Sequence, residues 1–595
     1  GTERTGGWVR FGSGPDGESH AILQDFLRPA RESGRGIHLK NLYNSYVYFW
    51  RWALWKVLDS TSGPGIISFI TAASYLRGPG FVGMREQMRR DFDDLWILDL
   101  EGDSLGARKT QNVFNIQTPV CIAVGVRGSQ PHEDEPARVH YARLEGTREE
   151  KLRRLAELEA FSELTWQDCP SGWQAPFLPR SGSDYHAWPK LTDLFPWQHS
   201  GVQVKRTWPI GETREVLQAR WKALLGRTGE ARRALFKETR DRKTDRLYPS
   251  LDPSRPAPGR LSAEEPGGAA PEATHYGWRS FDRRFLLADA RVIDYPRPPL
   301  WRSNGPRQMY LSSLMTKVLG PGPAATLTEL VPDLDYFCGR GGKDVIPLFR
   351  DAAGTVPNVT HGLLGVLGEG LGVTVSAGEF LAYVYAVLSS PDYARRFSEE
   401  VTMPGPRIPV TRDAGLFRRA VEVGSRLVAL HTFGERAIGG EPWGDVPRGS
   451  ARNTVSVPQG PEGYPVRFGY DASTGTLHVG EGEFAPVRQE VWEYSVSGFQ
   501  VVKSWLAYRM RERSGRSSSP LDEIRPDSWT SEMTRELLRV LWVLEGTVEL
   551  QPALNALLDE VAASPCFAAS DLPVPTEEER DAPGGESAGS QGSLF

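Results

Sequence analysis

The 595-residue chain has only four cysteines, Cys121, Cys169, Cys338 and Cys566. They stand far apart in apolar or mixed surroundings, which excludes a disulfide framework and a thiolate metal site. Buried thiols in a reducing compartment, the cytoplasm, are expected instead. The ten histidines form no H-x-x-H or H-x-x-x-H pair, and none lies at zinc spacing from a cysteine, so no metal site is predicted. There is no G-x-S-x-G elbow, and no set of residues reads as a hydrolytic centre. Apolar runs such as residues 65–73 fall far short of the roughly 20 residues that cross a bilayer, and no membrane association is expected. No basic-then-apolar leader stands at the start.

Glycine-rich phosphate cradles are also missing. Gly368-Glu-Gly370-Leu-Gly372 lacks the G-x-G-x-x-G spacing and reads as a loop or helix end. Gly339-Arg-Gly-Gly-Lys343 is followed by Asp344 where a P-loop needs Ser or Thr for Mg²⁺. His140, beside an expected strand, reads as a packing residue, and Asp93 and Asp94 as residues flanking a helix end. No catalytic residue is assigned. The net charge of −5 gives no general attraction to polyanions. It is unevenly spread: residues 232–246 hold seven basic and three acidic side chains, and the last 25 residues hold six acids and one arginine.

What is present suits two or three domains. Residues 42–127 read as half of a nucleotide-type α/β domain whose front half lies outside the sequence, which opens on Gly1 and not on methionine. Residues 42–56 crowd Tyr43, Tyr46, Tyr48, Phe49, Trp50, Trp52 and Trp55 into a helix apolar nearly all round, expected between layers. After Gly63-Pro-Gly65, residues 66–70 suit a strand buried on both faces. Phe81, Met84, Met88 and Phe92 then recur at helical spacing with Arg85, Arg89 and Arg90 outside. Residues 95–100 and 120–126 are further strands, with 139–144 beside the latter. This succession predicts βαβ units in a parallel sheet.

A charged helix over 148–161 carries Leu152, Leu155 and Leu158, and a loop-rich stretch dotted with Trp166, Trp173, Trp188, Trp197 and Trp208 follows. Residues 250–274, with five prolines, predict a flexible segment. Helices are expected around Phe380 to Leu388, where Pro391 ends one, and then over 416–432, 531–545 and 552–562. Residues 466–479 read as a hairpin turning at Asp471-Ala-Ser-Thr-Gly475. Residues 571–595 read as a disordered tail. The expected divisions are 1–175, 176–570 and 571–595.

Basic and aromatic residues interleave at Lys205-Arg206-Thr-Trp208, at Trp278 through Phe285 and at Tyr295-Pro-Arg297 through Trp301-Arg302. Arginine forks neutralise phosphates and hold guanine edges, and rings stack on bases or sugars. The same pattern also suits a partly exposed sheet face laced with Arg–Asp pairs.

Several segments, in order, carry a family resemblance. Leu39-Lys-Asn-Leu-Tyr43, Tyr48-Phe-Trp-Arg-Trp52, Phe69 to Gly78, Asp99-Leu-Glu-Gly102 and Asn112-Val-Phe-Asn-Ile116 resemble the stretch after the catalytic loop of Type ISP restriction-modification methyltransferases. Phe281-Asp-Arg-Arg284, Phe380 to Tyr393, Arg407-Ile-Pro409 and Tyr494-Ser-Val-Ser-Gly498 with Trp505 and Tyr508-Arg509 resemble that family's C-terminal specificity domain. The resemblance implies an α/β fold: a partial Rossmann-like methyltransferase sheet, then a large mixed α+β target-recognition domain. It implies an N6-adenine DNA methyltransferase of a restriction or phage-defence system, acting on double-stranded DNA with S-adenosylmethionine. The family's F-x-G-x-G and Asn-Pro-Pro-Tyr motifs precede the segment in view, so the cofactor would be bound mainly by an upstream segment or a separate catalytic chain. Asn41, Tyr43 and Tyr75 would border the target base, and Lys205, Arg206, Arg283, Arg284, Arg297 and Arg302 would contact DNA. The alternative is a non-enzymatic DNA-specificity subunit.

Overall fold

The computed structural model describes residues 11–584 apart from 14–18, 33–38, 40–41, 62, 103–109, 130–133, 180–183, 253, 318, 338–343, 399, 403–404 and 513–516. Asn41, Cys338 and the 339–343 motif lie outside the described residues. Two compact units emerge: Gly1–Ser183 with Ser398–Met403, and Asp184–Phe397 with Pro404–Phe595.

In the first unit the aromatic helix is α1 (Ser45–Leu54), followed by one π-helical turn, Trp55–Asp59. Then come β1 (Gly65–Ala72), α2 (Val82–Asp91), β2 (Asp94–Asp99), β3 (Val120–Arg127), β4 (Arg138–Arg143), α3 (Arg148–Glu157) and the short β5 (Gln167–Asp168). The sheet order is β1-β3-β2-β4-β5. The expected parallel βαβ pairing needs correction. β1 and β2 run the same way, but β3 enters between them, antiparallel to both, with Ile67 opposite Gly125 and Leu95 opposite that same glycine. Only β2 and β4 pair in parallel, so residues 139–144 lie beside β2 and not beside β3. The sheet is mixed, and a Rossmann-type parallel sheet is not what the described strands form.

Three burial expectations also change. Arg85 and Arg89 on α2 are buried because their guanidinium groups close open backbone: Arg85 donates to the Tyr75 and Gly78 carbonyls at 2.9 and 3.0 Å, and Arg89 to those of Ala137 and Pro170 at 2.9 and 2.7 Å. A buried charge is tolerated only with such partners. α1 packs one face inward through Val47, Trp50 and Leu54, while Phe49 and Trp52 are exposed. β1 buries Ile67 but leaves Ile66 and Ile70 exposed. α3 starts at a reciprocal cap in which Thr147 accepts from the Glu150 amide and Glu150 accepts from that of Thr147.

The second unit contains several small sheets and a helical core. β6 (Ile210–Gly211), β7 (Ala273–Arg279) and β8 (Asp282–Leu287) form one antiparallel sheet in the order β6-β8-β7, covered by α4 (Arg214–Leu225) and followed closely by α5 (Gly229–Phe236). β9 (Tyr310–Ser313) pairs with β10 (Ala325–Thr328) and β11 (Val345–Pro347), and every residue of the three is buried. α6 (Ala377–Ser389) is apolar all round and correspondingly buried; Pro391 opens the next helix, Pro391–Arg396. It packs on α7 (Ala414–His431) so closely that a Cβ on Gly424 would stand 1.9 Å from the Ala382 carbonyl oxygen.

β12 (Arg452–Val455), β13 (Phe468–Asp471), β14 (Thr476–Val479) and β15 (Gly482–Ala485) form an antiparallel sheet in the order β12-β15-β14-β13, in which the predicted hairpin turns with Gly475 at φ 64°. The two helices expected at 531–562 are one, α8 (Ser531–Ala563), which carries Pro552 in its interior. The described part of residues 250–274 is irregular up to Ala273 apart from one short turn of helix, Leu261–Ala263. Leu251 and Leu261 are buried, and Arg232 donates to the carbonyls of Leu261 and Glu264 at 2.8 and 2.9 Å. The tail expectation is likewise corrected for its first part: α9 (Glu577–Arg580) is capped by Thr576, and Arg580 pairs with Asp193 at 2.8 Å. Residues 585–595 lie outside the described residues.

Candidate nucleic-acid interface

Residues 203–206, 237–246 and 290–297 of the second unit converge on Asp294 and Tyr295. Gln203 bridges Tyr295 by backbone hydrogen bonds. Asp294 is buried, and its carboxylate accepts from the Lys205 amide at 2.8 Å, the Arg206 guanidinium at 3.1 Å and the Thr239 hydroxyl at 2.6 Å. A buried carboxylate needs donors of this kind to stay charged. Here they tie three separate stretches of chain into one rigid base.

On that base stands the Tyr295 ring. Lys205 Nζ lies 5.0 Å and the Arg297 guanidinium 5.2 Å from its centroid, within cation–π range. Tyr295 also hydrogen-bonds Arg240, and its hydroxyl donates to Asp241 at 3.3 Å. Lys205 pairs with Asp241 at 2.6 Å; partial burial opposes its charge, yet the carboxylate more than offsets this and its pKa rises. Burial lowers the Arg297 pKa, with Tyr295 acting against the drop. Arg297 sits at φ 55°, just before the short helix Pro298–Arg302, and donates to the Gly201 carbonyl.

The neighbouring loop supplies the exposed charge. Lys237 turns the chain out of α5 in the left-handed conformation, φ 59°. Glu238 accepts from the Thr244 amide and hydroxyl, both at 2.8 Å, and Arg242 donates to the Ala290 carbonyl at 2.7 Å. These bonds fix the loop while Lys237, Arg240 and Arg246 stay exposed, Arg240 with 78% of its side chain accessible. A fixed array of cations around an aromatic ring can neutralise phosphates and pack against a sugar or base.

The other expected contacts are placed differently. Arg206 is fully buried, shares its guanidinium between Asp294 and the Val292 carbonyl, and is lowered to about 10 by burial. On β8, Arg283 lies between Glu435 at 2.6 Å and Glu329 at 3.6 Å, against the Phe433 ring. Arg284 lies with Asp282, Glu212, Trp278 and Tyr508, and Asp282 also holds Arg509 at 2.7 Å. Strand alternation sends these two arginines into opposite interiors. The Arg–Asp reading of this segment therefore describes it, and Arg206, Arg283 and Arg284 are corrected to internal ion pairs. Arg302 is half-buried at the end of its five-residue helix. In the first unit, Tyr75 is wholly buried, its hydroxyl 3.3 Å from Cys121 Sγ and its ring against Trp50 and Phe177, and Tyr43 packs on the same core.

Neither described strand end in that unit forms a glycine-rich cofactor turn. Tyr75 and Leu76 fill the turn after β1, and after β2 Glu101 takes φ 55° to meet buried Lys151 at 3.2 Å.

Sequence reasoning noted the 232–246 charge excess but assigned no contact to Lys237, Arg240 or Arg246, and it missed Asp294 altogether. The charge run was the available signal for the loop; a lone aspartate gives none.

The sequence model of the family described as the Type ISP C-terminal specificity domain matches residues 193–540, and the chain belongs to this family. Three solved structures share the fold. The first is a nuclease-deletion mutant of the Type ISP restriction-modification enzyme LlaGI with a DNA substrate mimic: TM-score 0.58, 16% identity, 92% of this chain and 44% of that one. The ATP-dependent Type ISP enzyme LlaBIII bound to DNA gives 0.59 and 19%, covering 91% and 36%. The cryo-electron microscopy structure of the DrdV–DNA complex gives 0.57 and 18%, covering 89% and 54%. The chain thus spans between about a third and about half the length of these proteins. No curated protein sequence matches it.

Proposed function

We propose that this chain is the DNA-recognising C-terminal portion of a Type ISP-like restriction-modification enzyme of a phage-defence system, working on double-stranded DNA in the cytoplasm. The observation that carries the reading is the Tyr295 cluster: two cations, Lys205 and Arg297, on one ring, seated on a buried carboxylate, beside a fixed loop of exposed Lys237, Arg240 and Arg246. The three neighbours named above are DNA complexes. Phosphate contacts of this kind set register and supply affinity, and base-edge contacts set sequence.

The enzyme's reaction in this reading is transfer of a methyl group from S-adenosylmethionine to adenine N6. The donor is held by polypeptide outside these residues. Flipping the adenine from the duplex costs a few kcal/mol, and a separate module gripping the backbone offsets that cost. A second reading, a non-catalytic specificity subunit serving a separate catalytic chain, draws support from the filled turns at Tyr75 and Glu101–Lys151.

The test is duplex binding over a salt series with the 595-residue chain. Affinity that falls steeply with salt supports recognition; weak binding without salt dependence removes it. Labelled methyl transfer, assayed for the chain alone and with its catalytic partner in the same or a separate polypeptide, separates the two readings.

A further inference from the structure

After α8 the chain turns back across the second unit as a strap. Leu572 and Pro575 are buried, Val574 between them is 80% exposed, and α9 follows between Pro575 and Pro583. The strap crosses a line of cations. Arg350 donates through Nη1 to the Glu579 carbonyl at 2.8 Å and through Nη2 to the Asp581 carbonyl at 2.7 Å. The His361 amide donates to the Glu579 carboxylate at 2.7 Å. Farther on, a Cβ on Gly584 would stand 3.4 Å from Arg302 Nη1. Beneath the strap the Arg350 guanidinium lies 5.6 Å from the ring centroid of buried Trp197, and Ala582 packs on the cluster that includes Trp301.

What the strap presents is acidic: Glu577, Glu578, Glu579 and Asp581 against Arg580 alone, a net −3. The two Arg350 bonds have the form in which a guanidinium takes two oxygens of one phosphate, one from each Nη. Burial lowers the Arg350 pKa, and the strap's Glu579, Asp581 and Glu578 act against the drop. The hold is light. α9 has four residues, too few to persist by itself, and Ala582 brings only a methyl group to the core. Arg580 and Asp193 pair with 32 and 35% of their side chains accessible, where an ion pair contributes little. The covered patch also runs into the candidate interface. Arg297, on the Tyr295 ring, opens the helix Pro298–Arg302, which carries the chain about 7 Å on to Arg302. Trp301 Nε1 donates back to the Pro296 carbonyl at 2.6 Å.

We propose that Arg302 and Arg350 form a second phosphate-binding site for duplex DNA, occupied here by the chain's own acidic strap, residues 576–584, which the duplex displaces as it engages the Tyr295 cluster. The strap gives Arg350 the two oxygens that a phosphate would give, and its backbone covers Arg302. Its negative charge opposes any duplex that meets only the outer cations. A duplex that reaches past the Tyr295 ring gains two phosphate contacts when the strap leaves. The inference rests on the reading of the chain as DNA-recognising.

The test measures duplex binding over a salt series for the 595-residue chain, for a chain ending at Gly584 and for one ending at Pro575. The chain ending at Gly584 keeps the strap and should match the full chain. The chain ending at Pro575 should bind roughly tenfold tighter at about 0.1 M salt, with a slope of log affinity against log salt steeper by about two. Arg302→Ala with Arg350→Ala in that shorter chain should return both quantities to the full-chain values. Unchanged or weaker binding by the folded shorter chain overturns the inference. So does a gain already present at Gly584, or one that survives the double substitution. A second measurement needs no deletion: amide hydrogen exchange of residues 577–584 in the full chain, with and without saturating duplex. The duplex should lower protection there at least about tenfold, and equal or greater protection overturns the strap. If the full chain binds duplex with a steep salt slope while the strap stays protected, this inference alone falls; if no form binds, the DNA reading falls with it.

Discussion

Two arginine-rich stretches of the second unit meet opposite fates. In Trp278 through Phe285 the cations turn inward: Arg283 onto Glu329 and Glu435, Arg284 onto Asp282 and Glu212. In residues 237–246 the chain is a loop bonded through its backbone, its acids and Arg242, and Lys237, Arg240 and Arg246 stay outside. Their shared richness in arginine does not separate the two. A strand places alternate residues on opposite faces, and when both faces are covered every cation must find a buried acid or carbonyl; a loop can leave its charges in solvent.

The largest effect expected from breaking this contrast is at Asp282. Asp282→Ala leaves the Arg284 and Arg509 guanidinium groups buried without their shared carboxylate, a loss of about 3–5 kcal/mol in chemical denaturation. Unchanged stability with weaker DNA binding would move this network to the surface. His431 sharpens the interior side from another direction. Its ring stacks edge-on against Phe281 at 4.8 Å, bonds Thr547 at 2.8 Å and Tyr385, and is pushed by burial from 6.5 to about 3. The folded state holds this imidazole neutral while the unfolded chain protonates it. Its stabilising contribution is therefore complete above pH 6.5 and shrinks by about 1.4 kcal/mol for each unit below, down to about pH 3. His431→Gln should flatten the stability–pH curve in that window; an unaltered slope would show the ring to be solvated.

On the loop side, Lys237→Ala, Arg240→Ala and Arg246→Ala combined should leave unfolding unchanged and weaken duplex binding uniformly across sequences. The slope of log affinity against log salt should drop by about one per lost phosphate contact. An unchanged slope would take the interface elsewhere. The smallest effect belongs to Tyr295→Ala, which removes the ring shared by Lys205 and Arg297. About 0.5–1 kcal/mol of binding should be lost with the salt slope intact, read in the same titrations.

Where residue pattern alone decides local structure, the sequence was readable. The hairpin around Gly475 and the helix α6 follow from spacing and turn chemistry. Pairing partners were not, because β3 enters between β1 and β2 through a choice made by packing and not by either strand. Pro552 hid the continuity of α8, since the missing N–H that normally ends a helix is tolerated once both halves are held by the same core. At the candidate interface, Lys205 and Arg297 were chosen from the basic–aromatic pattern, and the structure brings both to Tyr295. Arg206 shares that pattern and is buried, because the sequence does not reveal that Asp294, 88 residues away, claims its charge.

The Asp282–Arg509 pair spans 227 residues of sequence. Any exchange of recognition segments between relatives, by recombination or by engineering, would have to carry the β8 segment and the helix around Trp505 together. A chimera that inherits one partner from each parent keeps its charge balance only if both parents use the same pairing. This couples distant parts of the gene, and it sets the cassette in which new specificities can be traded.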